Sequence, residues 1–223
     1  MRCKISKRKA EVKTIFIISD FIIVLALMKY VIPFLMLFVF AACKPETYTP
    51  KPRGYYLIAL PKHEYQSFNN PDFPYSFEFP TYGKIVKDTA FFGEKPENPY
   101  WINMDFPNLG GRIYLSYKIV SPSQPIEKLM DDAYKMTETV HNKRADYIEP
   151  INFKNEANKV YGLFYNVGGN AASAYQFYAT DYEKHFLRGA LYFDVTPNAD
   201  SLKPVNEFLR KDIEHMLKSL KWK

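Results

Sequence analysis

Downstream of residue 54, apolar and polar side chains alternate over many short segments. In PYSFEFP, aromatic residues occupy every second position from Tyr75 to Phe79, with Ser76 and Glu78 between them. Such alternation is typical of strands with one buried face, and turn-forming residues at 108–111 predict a hairpin between two of them. The segments predicted as strands are 55–60, 75–79, 82–86, 100–106, 112–120, 146–153, 159–167, 174–180 and 185–195.

Two other segments space their apolar residues three and four positions apart and are predicted to be helices. The first covers 126–140, with Ser123 as N-cap and Pro125 close to its start. The second covers 201–220. The buried stripes predicted for them are Ile126, Leu129, Ala133, Met136 and Val140 in the first helix, and Leu202, Val205, Leu209, Ile213, Met216 and Leu220 in the second.

The order of these elements is strands, helix, strands, helix. Short links between the strands predict an antiparallel β-sheet, and the helices must cover it to bury their stripes, so the expected fold class is α+β. The pattern resembles the PsbP/Mog1-like sandwich, in an early F-x-F-x-P strand (Phe77, Phe79 and Pro80), a mid-chain helix, four later strands and a C-terminal helix. A fold resemblance of this kind implies no function by itself.

A short apolar run between Lys29 and Ala41-Ala42-Cys43 resembles a lipoprotein signal. The run is too short to span a bilayer but suits a signal h-region, although Phe40 stands where the signal usually has leucine. We expect cleavage before Cys43 and acylation of its thiol with chains such as palmitate, which would anchor the rest of the protein to a membrane. The alternative is a transmembrane helix that ends in an incidental cysteine. The polar, proline-rich segment directly after Cys43 favours the lipoprotein signal.

Residues 1–27 hold a basic segment and a second apolar run at 15–27. Asp20 interrupts that run, and a charge at mid-bilayer costs about 3 kcal/mol. We therefore expect Met28 to be the true start of translation. The alternative is one long tilted anchor over 15–40.

The charge of the chain is unevenly distributed. The whole sequence has 30 Lys/Arg and 24 Asp/Glu, of which residues 1–42 hold 7 and 2, leaving 23 and 22 for the remainder. A nearly neutral remainder argues against a nucleic-acid partner. Residues 43–54 form a lipidated tether that reaches roughly 30 Å when extended, and 55–223 are expected to fold as a single α+β domain. Cys43 is the only cysteine after the leader, so no disulfide is expected.

The sequence contains no recognisable catalytic or cofactor motif. It lacks a nucleophile elbow, a P-loop, a dinucleotide fingerprint and an H-E-x-x-H pair. Asp131 and Asp132 are adjacent on a helix, where their side chains point about 100° apart. No catalytic, metal or cofactor residue is therefore predicted, and the widely separated histidines are expected to be structural or exposed: His63, His141, His185 and His215.

One loop has an unusual content of small residues. It is predicted as a hairpin turn that needs a positive φ, although small residues can also cradle an anion on backbone N–H groups or allow close approach of another protein. Aromatic residues outside the predicted core faces also favour interaction surfaces, among them Trp101, Tyr114 and Tyr178. The candidate partner-contact residues of the loop are Gly168, Gly169, Asn170, Ala171, Ala172 and Ser173.

From Cys43 onward the chain resembles the gliding motility lipoprotein GldD family of gliding Bacteroidetes-type bacteria. The matching segments are YTPKPRGYYLIALP, PYWINMDFP, VYGLFYNVGGNAAS, HFLRGALYF and LKSLKWK, in the same order. The resemblance also places a lipoprotein leader with its start at Met28. It implies a non-enzymatic component of the cell envelope, lipid-anchored with its domain in the periplasm, and needed for gliding. It further implies partners among other gliding and type IX secretion proteins, no cofactor, and a defined role for Cys43 alone.

Two other functions stay open. A periplasmic enzyme acting on cell-wall or carbohydrate material would need convergent polar residues in a cleft, which the sequence does not reveal. A module that binds a small apolar ligand would need a deep apolar pocket, which a helix-covered sheet can provide.

Overall fold

The computed structural model describes residues 57–87, 96–141 and 143–223, together with Lys29. The chain divides into two units between residues 54 and 55, and the described residues from 57 onward lie in the second. The following predictions lie outside the described residues: the start at Met28, the leader 1–42, the acylation of Cys43, the tether 43–54, the first two residues of the strand 55–60 and the side chain of Val140.

The described residues form ten strands and two α-helices. Two single 3₁₀ turns, Pro107–Leu109 and Glu156–Asn158, connect neighbouring strands. The strands are β1 (Tyr65–Phe68), β2 (Tyr75–Pro80), β3 (Lys84–Lys87), β4 (Ile102–Phe106), β5 (Gly111–Ile119), β6 (Ala145–Asn155), β7 (Val160–Gly169), β8 (Tyr175–Thr180), β9 (His185–Phe193) and β10 (Lys221–Trp222), and the helices are α1 (Ile126–His141) and α2 (Ala199–Ser219).

The strands form two antiparallel sheets. The larger has seven strands in the order β3-β4-β5-β9-β8-β7-β6, and the smaller has three in the order β1-β2-β10. Most neighbours in the larger sheet are joined by hairpins, but β5 pairs with β9, with Gly111 opposite Phe193 and Ile119 opposite His185. β5 and β9 are therefore neighbours in the sheet, although α1 and strands β6 to β8 lie between them in sequence.

Apolar cores lie on both faces of the larger sheet. On one face, Leu115 and Leu191 pack with Phe77 of the smaller sheet and with Leu209 of α2. On the other face, Leu129 and Ala133 of α1 pack against the sheet residues Tyr165, Val167, Tyr178 and Phe186. The predicted α+β class, an antiparallel sheet covered by helices, is confirmed.

Four local predictions were wrong. Residues 57–60 form no strand, and α1 begins at Ile126, so that Pro125 rather than Ser123 directly precedes it. Met136 is 49 % exposed, because the contact face of α1 follows steps of four residues from Leu129 through Thr137. Tyr178 is buried beneath α1 instead of lying on an open face.

Candidate functional site

Of the residues predicted as a partner contact, 168–173, the two glycines end β7, and 170–173 lie in the connection from β7 to β8. Gly169 has a φ of +86°, a conformation that glycine adopts readily. At Gly168, an added Cβ would lie 2.1 Å from the ring of Tyr147 in the paired strand β6. Both glycines therefore suit the local backbone and its close packing.

Only part of this loop faces solvent. Ala171 and Ser173 are buried, whereas Asn170 and Ala172 are exposed. The Asn170 Oδ1 accepts a hydrogen bond from the N–H of Ala199, the first residue of α2 (2.8 Å). The surface that the loop offers to another molecule thus consists mainly of the Asn170 and Ala172 side chains.

Two of the four histidines, His141 and His185, lie apart from each other and from the other two. His141 is buried on α1, and burial lowers its pKa, as does the nearby charge of Arg188. His185 lies with Nδ1 2.7 Å from the Tyr117 hydroxyl, and burial lowers its pKa as well. Among the described residues, no group of three or more His, Cys, Asp or Glu side chains could hold a metal ion.

The other two histidines help to form a polar cluster around Asp212 of α2. The Asp212 carboxyl is 1 % exposed, and its Oδ1 accepts hydrogen bonds from His63 Nδ1–H (2.7 Å) and from the Tyr65 hydroxyl (3.0 Å). Its Oδ2 accepts a hydrogen bond from the Tyr82 hydroxyl. This Asp212 cluster joins the segment before β1, β1 itself and the β2–β3 turn to one buried carboxyl.

Aromatic stacking surrounds the Asp212 cluster. The His63 ring stacks on Phe208 with ring centroids 4.3 Å apart. Tyr65 stacks on His215, whose Nε2–H donates to Glu78 Oε2 (2.7 Å). Phe208, Asp212 and His215 are spaced by four and three residues, so one face of α2 presents all of them.

The two tyrosines of the cluster are held as hydrogen-bond donors. Burial raises the pKa of Tyr65 to about 12, and the neighbouring Asp212 acts in the same direction. Burial and the hydrogen bond to Asp212 also raise the pKa of Tyr82. Both hydroxyls therefore keep their protons at neutral pH.

An aspartate bonded to a histidine also forms two of the three members of a hydrolase triad, in which the histidine activates a nucleophile. Among the described residues, however, no serine, threonine or cysteine is hydrogen-bonded to His63. The His63 ring is 29 % exposed and packs flat on Phe208. The arrangement serves to tie three segments of the fold together.

The sequence carried one signal for the Asp212 cluster that the prediction did not use. Asp212 lies three residues after Leu209 and four before Met216, within the predicted apolar stripe of α2. A carboxyl on a buried stripe requires polar partners, because burying it unpaired costs several kcal/mol. The identity of those partners could not be read from the sequence, since His63 lies 149 positions away.

Two open grooves lie beside β6, one on each face of the sheet. The groove on the α1 side has a volume of about 290 Å³, and its lining includes Tyr134, Glu138 and Asp146. The groove on the α2 side has a volume of about 250 Å³. Its apolar lining is formed by Ile151, Phe153, Phe164 and Leu217, and its polar lining by Lys154, Asn155, Arg210, Glu214 and Lys218.

Comparison with known proteins gives a family match. A family model described as gliding motility lipoprotein GldD matches residues 45–222. A search of curated proteins gives no match. Among solved structures, cyanobacterial PsbP (CyanoP) from Synechocystis sp. PCC 6803 aligns with a TM-score of 0.43 and 13 % identity, covering 78 % of this chain and 99 % of that chain. Within the described residues, neither helix combines the length and apolar content that a bilayer crossing requires.

Proposed function

Since the chain belongs to the gliding motility lipoprotein GldD family, we propose that it works as a non-catalytic, lipid-anchored component of the gliding machinery in the cell envelope. The observation that carries this proposal is the extent of the family match, residues 45–222. The match begins two positions after Cys43, which suits a mature protein that starts at this cysteine. The proposal includes the link to type IX secretion that the sequence resemblance implies.

In this proposal, translation starts at Met28 and the leader is removed before Cys43. Acyl chains on the Cys43 thiol then anchor the protein, because each buried CH₂ contributes about 0.8 kcal/mol. The tether 43–54 holds the single domain 55–223 on the periplasmic side, within reach of other envelope proteins.

A non-catalytic role is supported by the Asp212 cluster, which is the polar group that most resembles an active site. The Asp212 carboxyl already accepts three hydrogen bonds from within the fold.

The exposed side chains of the 168–173 loop, Asn170 and Ala172, are proposed to contact another component of the machinery.

The anchor is tested by replacing each cysteine in turn. Cys43→Ser should abolish incorporation of a labelled fatty acid, leave an unprocessed precursor and stop gliding. The matched control is Cys3→Ser, which should alter none of these. Acylation that persists in Cys43→Ser, or normal gliding in cells that lack the protein, would contradict the proposal.

The non-catalytic role is tested at the histidines. Alanine at His63, His141, His185 or His215 should leave gliding largely intact wherever the domain stays folded. A histidine variant that folds and assembles normally but does not glide would instead indicate an enzyme.

A further inference from the structure

β6 is the last strand of the larger sheet, and no described strand pairs with its outer side. The Val167 N–H in β7 donates to the C=O of Ala174, so the Val167 backbone points away from β6 (2.9 Å). Val167 lies opposite Ile148, and backbone direction alternates along a strand. Ile148 and every second residue after it therefore direct their backbone polar groups to the free edge: Ile148, Pro150, Asn152 and Lys154.

The position of Pro150 agrees with this assignment. Proline has no N–H to donate and occurs in strands where its nitrogen faces away from the neighbouring strand. Each of the four outward residues offers a C=O, and all except Pro150 also offer an N–H. The edge can therefore pair with a further strand, provided that no C=O of that strand requires an N–H donor at Pro150.

The side chains on the two faces of β6 differ in character. On the α1 side, the carboxyl groups of Glu138 and Asp146 line the groove, and Glu138 accepts a hydrogen bond from the Tyr134 hydroxyl. On the α2 side, the floor is apolar, with Phe164 and Leu217 both buried. An added strand that fits this edge must bring a cation to the α1 side and an apolar or aromatic side chain to the α2 side.

We infer that a second copy of this chain supplies that strand, its β6 pairing antiparallel with the first β6 around a two-fold axis at Ile151. In this register, Pro150 lies opposite Asn152 and Ile148 lies opposite Lys154. Every outward N–H then meets a C=O of the other copy, and the two prolines do not face each other. A two-fold axis at Pro150 would set two residues without an N–H against each other.

The same register matches the side chains to the grooves. Residue 154 borders the α2-side groove, but its side chain shares the α1 face with Ile148, because side chains alternate along β6. Lys154 of the second copy therefore comes alongside Ile148, next to Glu138 and Asp146; within its own copy its ammonium lies 3.4 Å from Glu156, at a largely exposed position. Tyr147, which is 54 % exposed, comes alongside Asn155 at the end of the α2-side groove. The ring of Tyr147 lies on the α2 side, because it covers Gly168. Charge and apolar surface are thus complementary between two identical edges, and this inference does not depend on the gliding role.

The register is tested by cysteine crosslinking of the protein purified from its own membrane in detergent. Ile151→Cys places two thiols at the axis, where Cα atoms of a non-hydrogen-bonded antiparallel pair lie about 4.5 Å apart. Mild oxidation should give a disulfide-linked dimer in high yield. In the control Glu149→Cys, the two thiols are separated by about four residue steps, roughly 13 Å along the strand, and should not crosslink.

The role of the edge is tested by light scattering. The wild type should have the mass of two copies, and Asn152→Pro should be a monomer or dissociate roughly tenfold or more readily, because it loses an outward N–H. Asn152→Ala keeps the N–H and should remain a dimer. A monomeric wild type, an unchanged dimer in Asn152→Pro, or crosslinking of Ile151→Cys only to a different protein in the native membrane would each overturn the inference.

Discussion

His63, in the segment before β1, donates a 2.7 Å hydrogen bond to Asp212, which lies 149 positions later in α2. The acceptor is almost fully buried, whereas the donor ring is partly exposed. Tyr65 and Tyr82 donate to the same carboxyl, so a single side chain of α2 holds three segments of the smaller sheet and its connections. This relationship predicts a large effect for a small chemical change.

Asp212→Asn keeps the size of the side chain but replaces an acceptor oxygen by an NH₂ group, which faces donors. We expect the free energy of unfolding to fall by about 3 kcal/mol, since one oxygen of Asp212 no longer accepts and at least one of the three donors loses its partner. Urea denaturation measures this change. The control Glu207→Gln alters an exposed carboxyl on the same helix and should change stability by less than about 0.5 kcal/mol. Equal stability of the two variants would show that the cluster contributes little.

His141 should make the protein less stable in acid. Burial lowers its pKa below the ordinary value of 6.5, so below that pH the unfolded chain binds a proton that the folded chain does not. Stability should therefore fall as the pH decreases from 7.5 to 5, and His185, whose pKa is also lowered, contributes in the same direction. The loss from one histidine is at most about 1.4 kcal/mol per pH unit. Urea denaturation at both pH values measures it.

Replacing His141 separates its contribution to the acid-induced loss of stability from that of His185. Both ring nitrogens are buried without a hydrogen-bond partner among the described residues, so His141→Leu should cost less than about 1 kcal/mol at pH 7.5 or stabilise the fold. It should also reduce the loss of stability at pH 5. His215→Gln keeps His141 and should retain that loss. A variant His141→Leu with the full acid sensitivity of the wild type would refute the assignment.

The exposed tip of the 168–173 loop can be tested for partner contact by a matched pair. Ala172→Trp adds a large side chain at an exposed position and should leave the melting temperature unchanged while impairing gliding and crosslinking to other envelope proteins. Ala171→Trp adds the same side chain at a buried position and should lower stability, typically by about 1–3 kcal/mol. Normal gliding with Ala172→Trp would exclude this loop as a contact.

The stripe of α2 should act through stability alone. Leu209 is fully buried between the helix and both sheets, so Leu209→Ala should cost about 2–5 kcal/mol. Chemical denaturation measures the loss, and gliding should recover at lower temperature if folding recovers. Lys211→Ala, on the exposed side of the same helix, should have a small effect. A folded Leu209→Ala protein that fails to glide at every temperature would contradict a purely structural role.

The sequence pattern predicted elements whose buried faces consist mainly of apolar side chains. The aromatic alternation of Tyr75, Phe77 and Phe79 places them in the core of β2, and the stripe of α2 is buried around Leu209. The phase of α1 was wrong because its buried face includes the polar Thr137 and His141, which an apolar stripe cannot reveal.

The shortest strands and the long-range side-chain contacts were not predicted, for a different reason. β1 and β10 have four and two residues, too few for an alternating pattern, and each exists because β2 offers an edge to pair with. The Asp212 cluster depends on residues brought together only by the packing of α2 against the smaller sheet. The signal in the sequence was a carboxyl on an apolar stripe, which predicts that partners exist but does not identify them.

The Asp212 cluster also determines how the domain bears tension. A pull on the chain upstream of residue 57 reaches His63 before it reaches β1, and it is transmitted through Asp212 to a helix of 21 residues packed into the main core. β1 itself has only four residues paired to β2 and would otherwise be peeled off one pair at a time. The hydrogen bond from His63 passes part of that load to α2, so the four-residue pairing of β1 with β2 does not bear it alone.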